Sequence, residues 1–227
     1  MAPPPTRVLT IGSSCINRFQ FDFFQTRHPD TAPRFVRSLF DWNITSLTGT
    51  ETVLRLAAEG RLRGVLQDKS QYYVAWDVLL FHRQIPGLCL FHEQESAKVF
   101  DDPSQQDTLI SKLIHQAAPF LSADDSGSTH LIWSNIQPNL PDTVDNVTPW
   151  EQFRLTAPRY TAITTLGSQL FGRDTTFSFL GIEEDVADEL VGKPDVHIVN
   201  LPRGIDYEGP PDLYEPLLLG LLGPTKT

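Results

Sequence analysis

The chain has little of what several large classes of protein require. It has two cysteines in 227 residues. That is too few for a disulfide framework or a four-thiolate zinc site, and Cys15 and Cys89 are expected to remain thiols under reducing conditions. Its apolar runs are short, as Val78 to Phe81 and Leu217 to Leu219 show, whereas a membrane-spanning helix needs roughly 20 residues. Basic residues are in deficit: 18 Lys and Arg face 28 Asp and Glu, a formal charge of -10. No broad cationic face is then expected for a nucleic-acid backbone or an anionic membrane surface. The six-residue glycine fingerprint and the phosphate-loop lysine are missing, which argues against NAD or ATP as a cofactor. No pair of histidines stands at metal-ligand spacing with a third ligand nearby, so no metal is expected. The opening Met1 to Arg7 holds three prolines and no basic region leading into a long apolar segment. The expectation is a cytoplasmic protein without a secretory signal. The patterns Asn43-Ile44-Thr45 and Asn146-Val147-Thr148 would then never meet the glycosylation machinery.

What is there is an ordinary globular composition, 40% hydrophobic and 10% aromatic, in a chain long enough to bury a substantial core. Four runs rich in β-branched and aromatic residues read as buried strands: Val8 to Ile11, His130 to Ile136, Thr175 to Leu180 and Val196 to Leu201. Helical spacing appears over Thr50 to Glu59 and over Asp107 to Ala118, the latter with Ser104 or Asp107 as its cap. Pro149 to Leu170 reads as a helical region interrupted at Pro158, and Ile182 to Leu190 as a short acidic helix. Strands alternating with helices predict a mostly parallel sheet covered on both faces, the α/β class. The chain reads as a single domain, residues 1–227, with an irregular aromatic-rich insertion at about 62–102 over the carboxyl ends of the strands. The apolar stretch Leu213 to Leu222 either docks on the body or forms a contact in a homodimer.

The most informative segment is Val8-Leu9-Thr10-Ile11-Gly12-Ser13-Ser14-Cys15-Ile16-Asn17-Arg18. It reads as a strand, a glycine turn, and nucleophile-bearing residues at the start of a helix. Unpaired N–H groups and the positive dipole end favour an anion there, lower a thiol's pKa and can bind an oxyanion. Arg18, three residues after Cys15, would hold a thiolate or an anionic group of a substrate. Packing of the first helix on the sheet is the other role open to Cys15.

The combination Ile11-Gly12-Ser13-Ser14-Cys15, then Phe40-Asp41-Trp42-Asn43, then Leu90-Phe91-His92-Glu93 resembles an uncharacterised family of papain-like cysteine peptidases. It is also similar to related capsular-polysaccharide biosynthesis proteins. The resemblance covers mainly residues 7 to 100. It implies a Rossmann-like three-layer sandwich, with Cys15 as nucleophile and His92 as its general base and acid. It also implies Asp41 as a buried carboxylate tying a loop to the nucleophile turn, and a coenzyme A thioester as co-substrate, with no tightly bound cofactor. The chain departs from the family in carrying Glu93 where an aspartate commonly follows the histidine. His82 is the alternative to His92, and a candidate for substrate binding. His28 and His115 read as incidental.

A second arrangement competes. Gly12-Ser13-Ser14, then Trp133-Ser134-Asn135, then Asp195-Val196-His197 follow the order of the GDSL/SGNH esterases, to which they bear a weaker similarity. Ser13 or Ser14 would be the nucleophile and His197 the base. Only one residue separates Asp195 from His197 where that family has two. Asn135 serves either scheme as an oxyanion donor, or caps its own turn. Arg203, after the last strand, could receive an anionic part of a substrate. The sequence therefore predicts a cysteine-dependent acyl transferase or hydrolase acting on a small-molecule or carrier-bound acyl group. The serine esterase and a non-catalytic anion-binding module are the alternatives.

Overall fold

A computed structural model of the chain describes residues 7–75, 79–93, 102–122, 127–136, 150–199 and 208–222. In chain order its strands and α-helices are β1 (Arg7–Thr10), α1 (Ile16–Arg27), β2 (Arg34–Phe35), β3 (Ile44–Thr45), α2 (Leu47–Ala58), α3 (Leu62–Gln67), β4 (Tyr72–Ala75), β5 (Leu79–His82), β6 (Leu88–Cys89), α4 (Pro103–Gln116), α5 (Ala118–Leu121), β7 (Thr129–Ser134), α6 (Ala157–Phe171), β8 (Thr176–Gly181), β9 (Val196–Ile198) and α7 (Glu215–Leu222).

The four strands read from the sequence, joined by β2, form one parallel sheet in the order β2-β1-β7-β8-β9. Every residue of β1 and β7 is buried, as expected of strands covered on both faces. Side chains alternate across the sheet. Val8, Ile132 and Leu180 pack with Ile16, Phe21 and Phe24 of α1 and with Tyr214 and Leu218. Leu9, Ile11, Leu131, Trp133 and Phe179 pack on the other face with residues of α2, α4 and α6. The result is a three-layer α/β sandwich.

Several local expectations change. Residues 62–102 are not irregular where they are described: α3 is followed by β4, β5 and β6, which join β3 in a second, antiparallel sheet of order β3-β6-β5-β4. The cap of α4 is Asp102, whose carboxylate accepts from the Ser104 N–H at 2.8 Å, rather than Ser104 or Asp107. Pro158 does not interrupt a helix. It stands in the first turn of α6, where its missing N–H costs nothing. Ile182 to Leu190 forms two 3-10 turns, Glu183–Asp185 and Asp188–Leu190. The carboxyl-terminal stretch docks on the body, with Tyr214 and Leu218 fully buried and Leu213, Leu217, Leu221 and Leu222 packed against the same cluster. Among the described residues no helix is long and apolar enough to cross a membrane.

Candidate functional site

From β1 the chain runs through α1 to β2 on one side, and reaches β7 on the other side of β1 only after the second sheet and α4. The strand order therefore reverses between β1 and β7, and the crevice at their carboxyl ends is where open α/β sheets place ligands. The residues there are Gly12 to Cys15 after β1, and Asn135 and Ile136 after β7.

Gly12 has φ of +127°, and a Cβ there would stand 2.8 Å from Thr50 Oγ1. Only glycine fits both the conformation and the space. Hydrogen bonds lace the crevice: Ser13 N–H donates to the Ser134 carbonyl at 2.7 Å, and Ser134 N–H donates to the Gly12 carbonyl at 3.1 Å. Ser13 N–H and O–H share an acceptor, since the Ser13 hydroxyl also donates to the Ser134 carbonyl, at 2.5 Å. Asn17 Nδ2 donates to the Gly12 carbonyl at 2.6 Å and to Thr10 Oγ1 at 3.0 Å. The Tyr214 hydroxyl donates to Asn17 Oδ1 at 2.6 Å. Ser13 also bridges to Thr45 of the second sheet, so three layers meet at the turn.

Within this lattice four buried polar atoms lack a hydrogen-bond partner among the described residues: Ser14 Oγ, Thr45 Oγ1, Trp133 Nε1 and Asn135 Oδ1. All belong to the turn or to residues joined to it. A buried polar group left unpaired costs about 1–3 kcal/mol, so such atoms are few in folded proteins and gather where a ligand or a reaction uses them.

Cys15 is the N-cap of α1, 8% exposed. Burial pushes its thiol up to about 11, with the Glu208 carboxylate adding to the rise and the cysteine's own backbone N–H opposing it. The helix start does not win, because a thiolate loses more solvation here than one helix terminus returns. His92 is exposed. Its ring meets Trp42 edge-on at 5.6 Å, and Trp42 meets Phe19 of α1 edge-on at 5.6 Å. Aromatic rings thus join His92 to the helix that Cys15 caps. Burial lowers the His92 pKa, Glu93 raises it and Lys112 lowers it.

The other candidates are committed. Arg18 is buried and pairs through both Nε and Nη2 with Asp22, one turn along its own helix, rather than pointing at Cys15. Asp41 is buried, accepts from Ser38 N–H at 3.0 Å and is pushed up to about 6 by that burial. The Ser38 hydroxyl donates to the Thr10 carbonyl at 3.0 Å, so Asp41 holds the loop that is fastened to the end of β1. His82 is not a substrate-binding group. Its Nε2 donates to the Val65 carbonyl at 3.2 Å and its Nδ1 accepts from Gln84 N–H, which fixes one neutral tautomer inside the second sheet. Asn135 gives one Nδ2 hydrogen to the Phe153 carbonyl at 3.0 Å, which leaves one amide hydrogen for another acceptor. His197 lies on β9, separated from β1 by β7 and β8. Three strand spacings, about 14 Å, keep it from Ser13 and Ser14, and the serine-esterase arrangement is not assembled. Arg203 lies outside the described residues.

Asn17 and Tyr214 were not singled out by sequence reasoning. The only signal for Asn17 is its place five residues after Gly12 on the face that turns back toward the sheet. Tyr214 falls within the apolar Leu213 to Leu222 stretch expected to dock or to form a contact, but nothing in the sequence marks its hydroxyl as the partner of Asn17. No protein-family model, curated protein or solved structure matches the chain.

Proposed function

We propose that the chain is an enzyme that transfers or hydrolyses an acyl group through a thioester on Cys15, at the carboxyl ends of β1 and β7. The observation that carries this reading is the group of four unpartnered buried polar atoms around a turn at the reversal of strand order. In the proposed reaction Cys15 Sγ attacks the acyl carbonyl carbon while its proton passes to His92. The oxyanion that forms is met by backbone N–H groups at the start of α1 and by the Ser14 hydroxyl. The bond to the leaving group then breaks, and His92 returns the proton to it. Water or an acceptor deacylates Cys15 in the second half, with His92 again as base. A coenzyme A or carrier thioester is the acyl donor that the resemblance suggests, and two cysteines outside any disulfide fit a reducing compartment such as the cytoplasm.

The burial of Cys15 favours a second reading, in which the thiol is packing and the protein binds an anionic ligand without reacting. One experiment separates the two. The protein is incubated with acetyl-coenzyme A or p-nitrophenyl acetate at pH 8, quenched in acid, and its peptides weighed by mass spectrometry. Acylation on the Cys15 peptide that is released by hydroxylamine, absent in Cys15→Ala and slowed in His92→Ala is the expected result. An unmodified Cys15 peptide with both probes overturns the enzyme reading.

A further inference from the structure

A cleft of about 510 Å³ lies away from the Gly12 to Cys15 turn, against the β2 edge of the parallel sheet. Its lining includes Arg7, Arg34, Arg37, Lys112 and His115, with Asp41 as its one carboxylate. Four cations of the chain's 18 therefore meet in one cleft of a protein whose formal charge is -10. Arg7 and Arg34 are direct register partners on β1 and β2, and like charges opposite one another on neighbouring strands repel.

The four cations are not equally committed. Arg7 is buried, with its Nε donating to Thr129 Oγ1 at 2.7 Å and its guanidinium 5.4 Å from the Phe171 ring centre. Lys112 pairs with Glu93. Arg34 and Arg37 are exposed and form no ion pair or side-chain hydrogen bond with any described residue. Asp41 feels the charge of Arg37, but it is buried, its oxygens accept from Ser38 and it forms no ion pair with either arginine, so a single carboxylate stands against four cations.

We propose that this cleft binds a small molecule carrying a diphosphate or two neighbouring phosphate groups. The volume is that of a small-molecule site. Two unpaired guanidiniums, each able to offer paired N–H donors to phosphate oxygens, suit that geometry better than a single negative charge. A long polyanion fits poorly, because the rest of this acidic surface repels it. Trp42 lines the same cleft and holds His92 edge-on, so the bound molecule would lie one side chain away from His92. The inference holds whether or not Cys15 reacts.

The test uses the full chain with inorganic pyrophosphate as probe in low-salt buffer, read by titration calorimetry and by the shift in thermal unfolding. Citrate serves as an anion of comparable charge without phosphate. Pyrophosphate should bind and raise the unfolding temperature. Arg34→Ala with Arg37→Ala should weaken binding at least tenfold, and the double change to lysine should weaken it less, while unliganded stability stays near wild type because both side chains are exposed. If the alanine variant unfolds early, the lysine variant carries the comparison, since it keeps the charge and loses the paired donors. Failure of pyrophosphate to bind, equal binding by wild type and both variants, or citrate binding as tightly as pyrophosphate each overturns the proposal.

Discussion

Cys15 retains 8% of its surface and Cys89 retains 1%, and burial pushes their thiols up to about 11 and about 12. Against an ordinary thiol of pKa about 8.5, a value near 11 leaves roughly 300-fold less thiolate at pH 7. Iodoacetamide should therefore label Cys15 far more slowly than glutathione, and Cys89 more slowly still, with both rates climbing through pH 9. Labelling of Cys15 at the rate of a free thiol would show that burial does not hold the resting thiol protonated. Two other buried groups act on stability in opposite directions. His130 Nδ1 and Nε2 face the hydroxyls of Thr176 and Ser178 at 2.7 and 3.0 Å, and burial with a contribution from His197 lowers its pKa to about 4. A depressed histidine binds fewer protons folded than unfolded, so it costs stability as pH falls from about 6.5 to about 4, on the order of 3 kcal/mol. Asp41 is pushed up to about 6, so it binds more protons folded than unfolded and returns a similar amount over nearly the same interval. The two slopes largely offset each other. Asp41→Asn removes one of them, and urea unfolding of that variant at pH 7 and pH 4.5 should show a steeper loss toward acid than wild type. Parallel profiles would mean that Asp41 titrates normally.

At the scale of the element, α2 shows where packing overrules propensity. Ser46 is its N-cap, accepting from Gly49 N–H at 3.0 Å and donating to the Pro86 carbonyl at 2.8 Å. Propensity alone would make Gly49→Ala stabilising by about 1 kcal/mol in a helix. A Cβ at Gly49 would stand 2.5 Å from the Pro86 carbonyl oxygen and 2.9 Å from Thr45 Cγ2, and the backbone oxygen cannot rotate away. Gly49→Ala should therefore destabilise by about 1–3 kcal/mol, read as a lower urea midpoint. A raised midpoint would show that the β5–β6 turn yields. The same helix shows what was legible in the sequence. Val53, Leu54 and Ala57 gave its buried face from spacing, but its start at Leu47 lies three residues before the expected Thr50, because Gly49 reads as a breaker until its contact with Pro86 is seen. The runs for β1, β7, β8 and β9 were legible because each is rich in β-branched and aromatic residues, and β1 and β7 are buried along their whole length. The second sheet was not, since β3 and β6 have two residues each and carry no periodicity. At the site, the turn and Cys15 were legible from the strand, glycine and small residues in a row, whereas the commitment of Arg18, Asn135 and His82 depends on partners one turn to many residues away. Arg34 on β2 and Arg37 just after it flank Phe35 and Val36, and show no sign in sequence that Arg7 and α4 line the same cleft.

At the scale of the whole molecule, several contacts tie α1 to the carboxyl-terminal segment, and one of them, the Tyr214 hydrogen bond to Asn17, reaches the Gly12 turn. Tyr214 is fully buried, and its hydroxyl donates to Asn17 Oδ1, while Asn17 Nδ2 holds the Gly12 carbonyl. Gln20 adds a second tie, donating through Nε2 to the Glu208 and Pro210 carbonyls at 2.8 Å and accepting from Tyr214 N–H at 3.1 Å. The carboxyl-terminal segment is therefore a part of the crevice wall and not an appended tail, and Glu208 lies near enough to raise the Cys15 pKa. Tyr214→Phe keeps the ring and its packing against Phe21 but leaves Asn17 Oδ1 buried without its donor. The expected loss is about 1–3 kcal/mol, the cost of an unpaired buried acceptor rather than of the bond's net gain. Because that acceptor belongs to the side chain that positions Gly12, the loss should also reach the turn: Cys15 labelling by iodoacetamide should accelerate in Tyr214→Phe, with Cys89, in the second sheet, unchanged. Equal acceleration at both cysteines would instead indicate global opening. A stability loss with no change at Cys15 would show that the carboxyl-terminal segment is bound to α1 without controlling the turn.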